Sequence, residues 1–166
     1  KEADADFKTL LADRIHRHFS HGGALTPAAN AARLQARMDE IQDSLLLECA
    51  RWGYRTPSNW GTAAATIQSQ LFPTRTTQLL SYLRAAKMYP AFDPPEFERY
   101  GGLVTNGYSP SLSSSSGTIY YTLDGTDPRQ PGGQVSAQAL VWKPGAVVVI
   151  RDLTFAVRVR TTTGQW

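Results

Sequence analysis

In the first half of the chain, apolar residues recur three and four positions apart. Phe7, Leu10, Leu11, Ile15, His18 and Phe19 share one face of a predicted helix. "HGG" ends it, with Gly22 or Gly23 free to take a left-handed cap. Thr26 followed by Pro27 predicts the next start, a hydroxyl N-cap and then proline in the first turn. Leu34, Met38, Ile41, Leu45, Cys49 and Trp52 form the stripe of that long helix, and Gly53 closes it. "YRTPSN" reads as a loop. A third helix is expected from about Asn59 to Leu71, with Ile67 and Leu71 inward and a break at Phe72-Pro73. Leu79, Leu80 and Leu83 mark a fourth, ending near Lys87. Short connections favour antiparallel neighbours, so these helices predict a small bundle.

The period changes at "YPAFDPP", where Pro90, Pro94 and Pro95 each forbid a helix interior. Ile119, Tyr121 and Leu123 then alternate with Thr118, Tyr120 and Thr122. "AVVVI", Ala146 to Ile150, reads as a continuous buried strand. Phe155, Val157 and Val159 alternate with Ala156, Arg158 and Arg160. "SLSSSSG" reads as a strand end and loop. Short strands split by Gly, Ser, Pro and Asp turns predict an antiparallel sandwich. The expected fold class is therefore α+β in two segments: an antiparallel helical bundle over 1–92 and an immunoglobulin-like antiparallel β-sandwich over 93–166.

Composition narrows the function classes. The chain has 166 residues, 42% hydrophobic and 19% charged, which fits one or two globular domains. No apolar run approaches the ~20 residues of a membrane span, and "KEADADF" lacks the basic-then-apolar plan of a signal peptide. The net charge of +3 lies in 1–92, with 11 basic and 8 acidic residues, against 6 and 6 in 93–166. So small an excess, scattered over helix faces, argues against nucleic acid as a partner. The single cysteine, Cys49, excludes an internal disulfide and reads as a buried apolar residue.

Candidate chemistry is sparse. His16, His18 and His21 form the sole histidine cluster, but residues two apart on a helix point roughly 200° from each other. Zinc needs converging ligands at about 2 Å, so His18 reads as a core or interface histidine. Asp124 and Asp127 in "DGTDP" lack the acidic ladder of a calcium loop and predict an Asx-type turn, with Gly125 at positive φ and Pro128 ending it. Asp39, Glu40 and Asp43 read as a solvated helix face rather than paired catalytic carboxylates. No nucleophile elbow, phosphate loop or dinucleotide fingerprint occurs. No catalytic, metal or cofactor-binding residues and no cofactor are assigned. Tyr120 and Trp142 are the candidate sugar-stacking aromatics, with a cell-surface glycan as the ligand they would contact.

"GTIYYTLDGTDPR" is similar to the signature of the small sandwich at the ends of chitobiases and many secreted bacterial proteins, the chitobiase/β-hexosaminidase C-terminal type. "AVVVIRDLTFAVRVRTTTGQW" extends it, with Thr154, Arg158, Gly164 and Trp166 in the family pattern and a departure at Ala156 and Val157. The resemblance covers roughly Phe97 to Trp166. "ADRIHRHFSHGGALTP", "ARWG", "FPTRT" and "LRAAKMYP" resemble the C-terminal helices of bacterial CotH-type, spore-coat kinase-like proteins, which often lead into such a sandwich. "NWGTAAATIQSQL" departs, being less charged than that helix usually is. The resemblance implies a secreted or cell-surface protein whose nucleotide- and metal-binding core would lie upstream of Lys1, and a piece that is itself non-catalytic. It implies neighbouring domains of the parent as partners, and exposed apolar helix faces open to self-association. The alternatives are a carbohydrate-binding module, and part of an atypical protein kinase with its catalytic core elsewhere.

Overall fold

The computed structural model describes residues 4–53 and 56–166. Among these described residues the chain is mixed helix and sheet, with three continuous helices and two small antiparallel sheets. Two compact units form: Leu11–Ala86, and Lys1–Leu10 together with Lys87–Trp166.

Helix α1 spans Ala5–Phe19 and α2 spans Pro27–Trp52. The α2 start follows its sequence: Thr26 is extended and its hydroxyl accepts from the Ala29 amide at 3.4 Å, with Pro27 in the first turn. Gly53 takes the left-handed cap that β-carbons resist, and its N–H returns to the Cys49 carbonyl. Beyond α1, both His21 and Gly22 are left-handed. Ile15 is the buried residue of α1, whereas His18 is exposed, and its carbonyl accepts from the Leu25 amide at 2.8 Å. The core position expected of His18 does not hold, because its side chain is exposed.

The expected loop "YRTPSN" falls partly on positions 54 and 55, outside the described residues. Helix α3 begins earlier than predicted, at Pro57, capped by the Thr56 hydroxyl on the Asn59 amide at 3.3 Å. It runs Pro57–Thr66, widens into a π-turn over Ile67–Leu71, and continues as α4, Phe72–Ala85. Phe72-Pro73 therefore does not break the chain. Proline lacks an N–H and its ring crowds the carbonyl four residues back; a wider turn relieves both. The Phe72 N–H accordingly bonds to the Ile67 carbonyl, five residues back. The extra residue also rotates the helix faces, so Ile67 and Leu71 point outward rather than in. Ala64 is buried instead. The half-buried Gln68 faces α2, where it reaches Gln35 at 3.4 Å and Met38 Sδ at 3.9 Å.

The other unit holds β1 (Glu96–Phe97), β2 (Leu112–Ser113), β3 (Thr118–Thr122), β4 (Leu140–Val141) and β5 (Ala156–Arg160). β1 pairs with β2, and the second sheet runs β4-β3-β5. Its register sets Ile119 opposite Val159, Tyr120 opposite Arg158 and Tyr121 opposite Val157. One face is apolar: Leu112, Ile119 and Val159 form the core, with Phe92, Phe97, Trp142 and Val157 packed against it. Burying each aliphatic side chain there contributes roughly 1.5–3 kcal/mol. The run "AVVVI" is not a strand. Its pairing is a single bridge, Val149 to Tyr108, and only Val147 is buried while Val148 and Ile150 face outward. An apolar run is buried on both sides only when something covers both sides.

Candidate functional site

The "DGTDPR" turn is built from its own polar groups. Asp124 Oδ1 accepts from the Thr126 amide at 3.0 Å and the Thr126 hydroxyl at 2.6 Å, the predicted Asx turn. Gly125 has φ +81°, and a Cβ there would sit 2.9 Å from Thr154 Cγ2. Pro128 is fully buried. Asp127 takes a two-pronged guanidinium contact from Arg158, Nε to Oδ1 at 2.6 Å and Nη2 to Oδ2 at 2.7 Å, plus the Arg129 amide at 2.8 Å. Arg129 reaches Asp6, whose carboxylate also accepts from the Gly132 amide at 3.1 Å. Both turn aspartates are thus engaged by protein groups. Among the described residues, no three His, Cys, Asp or Glu side chains converge to hold a metal ion. His16 and His21, whose rings lie 5.4 Å apart, are the histidines that do meet.

Electrostatics follow the bonds. Thr126, through its hydroxyl and then its amide, holds the Asp124 carboxyl below the ordinary range. Partial burial works to raise Asp127, but the Arg158 guanidinium and the Arg129 amide outweigh it, and the net shift is downward. Arg129 and then the Gly132 amide lower Asp6.

Tyr120 and Trp142 are not brought together. Tyr120 lies on the polar face of β3, half-buried with its ring 5.5 Å from Trp166. Trp142 lies on the apolar face, edge-on to Tyr121 at 5.5 Å. A sugar ring cannot stack on both. Asp39, Glu40 and Asp43 are exposed on α2, where Asp39 accepts from Gln35 at 2.8 Å and Glu40 pairs with Arg37. Cys49 is free and half-buried. No helix among the described residues is long and apolar enough to cross a membrane.

A cleft of about 460 Å³ opens between the loop after β1 and the segment leading into β5. Phe97, Tyr108 and Phe155 give it aromatic walls, with Phe97 and Phe155 edge-on at 6.3 Å. Tyr100, beside it, donates to Glu96 Oε2 at 2.6 Å; burial and then the Glu96 bond raise its phenol. Leu103 on one wall is 94% exposed and Ile150 on the other 73% exposed. Arg99 and Arg151 bring two cations, and Asp152 one anion. Arg99 Nε donates to the Gly101 carbonyl at 3.2 Å. Arg151 and Asp152 make no side-chain hydrogen bond or ion pair among the described residues. Sequence reasoning passed over this cleft. The available signal was "GGLVTNG", a leucine and a valine framed by Gly101, Gly102 and Gly107, all at positive φ.

Comparison with protein-family models, curated proteins and solved structures gave no match to this chain.

Proposed function

We propose that the chain is a non-catalytic interaction module of a secreted bacterial CotH-like protein. Its helices serve as a cap for a neighbouring domain, and its second unit, an immunoglobulin-like sandwich of the chitobiase C-terminal type, serves as a spacer or adhesion element. One observation carries the reading. The two stretches that bear the sandwich resemblance lock onto each other: Asp127 onto Arg158, Gly125 against Thr154, and Tyr120 against Trp166. Trp166 Nε1 further donates to the Gly133 carbonyl at 2.7 Å, and the Arg160 guanidinium lies 5.6 Å from its ring. A signature whose distant parts hold one turn rigid is what a spacer domain requires. The exposed apolar side chains of the helical unit, Leu47, Tyr82 and Trp52 foremost, support the cap role.

The test is a pair of assays on the whole chain. Incubation with labelled ATP, Mg²⁺ or Mn²⁺ and a protein substrate is expected to give no phosphate transfer; transfer that scales with protein concentration overturns the reading in favour of a kinase. The protein is expected to wash through insoluble chitin. Retention that disappears on Tyr120→Ala overturns it in favour of a carbohydrate-binding module.

A further inference from the structure

We propose that the cleft beside β1 binds an extended acidic segment of a partner polypeptide, seating an apolar side chain on the aromatic wall and a neighbouring carboxylate against Arg99 and Arg151. This site is independent of the role assigned to the helices.

Three features of the cleft select that occupant. The first is shape and chemistry: about 460 Å³, with Phe97, Tyr108 and Phe155 able to bury one aliphatic or aromatic side chain. Leu103 and Ile150, both turned outward, extend the apolar surface along the rims rather than closing it over. A long ligand gains from such rims; a small polar ligand does not.

The second is the main chain. Residues 102–104 on one wall and 150–153 on the other carry no main-chain hydrogen bond among the described residues. Just outside them pairing resumes: Val149 exchanges with Gly107 and Tyr108 at 2.9 and 2.8 Å, and the Thr154 amide bonds to Leu123 at 3.2 Å. The cleft is therefore bordered by open donors and acceptors between two pinned ends. An extended chain satisfies such groups and sends alternate side chains to the floor.

The third is charge. The Arg151 guanidinium has no partner among the described residues, and Arg99 uses only Nε, on a neighbouring carbonyl. Two guanidiniums against the single carboxylate of Asp152 leave a cationic lining. Guanidinium groups suit planar carboxylates, which they bind in two-pronged fashion. Asp152 then sets direction, facing the peptide's amide groups or a basic residue.

The experiment is an amide-resolved NMR titration of the isotope-labelled full chain. The probes are acetyl-Gly-Glu-Phe-Glu-Gly-amide, its Gln-for-Glu counterpart and its Lys-for-Glu counterpart. The acidic peptide is expected to shift amides in 102–106 and 149–154 saturably, and added salt to weaken it. The other two probes and the Arg99→Gln/Arg151→Gln double variant are expected to bind about fivefold to tenfold more weakly. Leu103→Asp, at a site so exposed that folding should not depend on it, is expected to weaken binding too. Equal response to all three peptides, or shifts confined to the helices, overturns the proposal. Displacement of the acidic peptide by chito-oligosaccharide at the same amides overturns it in favour of a sugar. Concentration-dependent shifts of those amides without peptide overturn it in favour of a second copy of this chain.

Discussion

Asp127 is where the sequence signature becomes a physical constraint. Its two oxygens meet Arg158 and the Arg129 amide, fixing the turn after β3 onto β5. Arg158 is the more buried partner, with 19% of its side chain exposed against 46% for Asp127. Removing the carboxylate takes the two-pronged contact away from a largely covered guanidinium. Half-exposure screens the pair, so Asp127→Ala is expected to cost about 1 kcal/mol. A urea-melt midpoint followed by near-ultraviolet circular dichroism measures this. The pH dependence has a definite sign. Asp124, Asp127 and Asp6 all titrate below their ordinary value of 3.8 in the folded chain. The unfolded chain therefore takes up these protons first as acid is added. Their stabilisation is complete above the ordinary carboxylate range and drains away as pH falls through the lowered folded values. Thermal stability of the wild-type chain should be flat with respect to these groups above about pH 5 and fall below about pH 4. Asp127→Asn should start lower and fall less steeply; a slope identical to wild type would show that the Arg158 contact is not formed in solution.

At the level of elements, legibility tracked how local the determining contact is. The start and end of α2 were readable because Thr26, Pro27 and Gly53 act on their own backbone within one turn. The alternation in β3 and β5 was readable because one face of that sheet is apolar. Phe72-Pro73 was misread because proline forbids an α-turn and not a π-turn, and nothing in the run Ile67–Leu71 announces the wider one. "AVVVI" was misread because its backbone pairing depends on distant Tyr108, which meets it at a single bridge, Val149. The peptide cleft was illegible for the same reason: Phe97, Tyr108 and Phe155 are separated in sequence and meet only once the loops close. The π-turn carries its own prediction. Pro73→Ala restores a donor and removes the ring, so the helical unit should gain about 1 kcal/mol, less than the ~3 kcal/mol a proline costs inside an α-helix, since the wide turn already relieves part of it. The 222 nm denaturation midpoint reads the gain. A lower midpoint would mean that the fold depends on proline to hold Gln68 against α2.

For the whole molecule, the decisive quantity is the apolar surface left on the helical unit. Ile41, Leu46, Leu47 and Trp52 on α2, Ile67 and Leu71 in the π-turn, and Tyr82 on α4 all remain substantially exposed. Single exposed leucines are ordinary, but α2 has no fully buried residue along its 26 positions. A long helix whose stripe is at best half-covered gains further stability by finding a cover. A specific pairing of two chains needs about 1,200–2,000 Å² of buried surface, which several side chains of this size approach only if they act together. Truncating the patch at two points should then abolish pairing rather than weaken it in proportion. Light scattering is expected to give a mass above the 18.3 kDa of one chain as concentration rises. Leu47→Lys/Trp52→Lys, both at exposed positions, should return it to one chain, although the second change also removes the ring that Arg51 overlies at 5.1 Å. Leu103→Asp, in the other unit, should leave the mass unchanged while it weakens peptide binding at the cleft. A wild-type chain that stays at the mass of one copy at high concentration, and binds no apolar dye, would remove the physical basis for reading these helices as a cap.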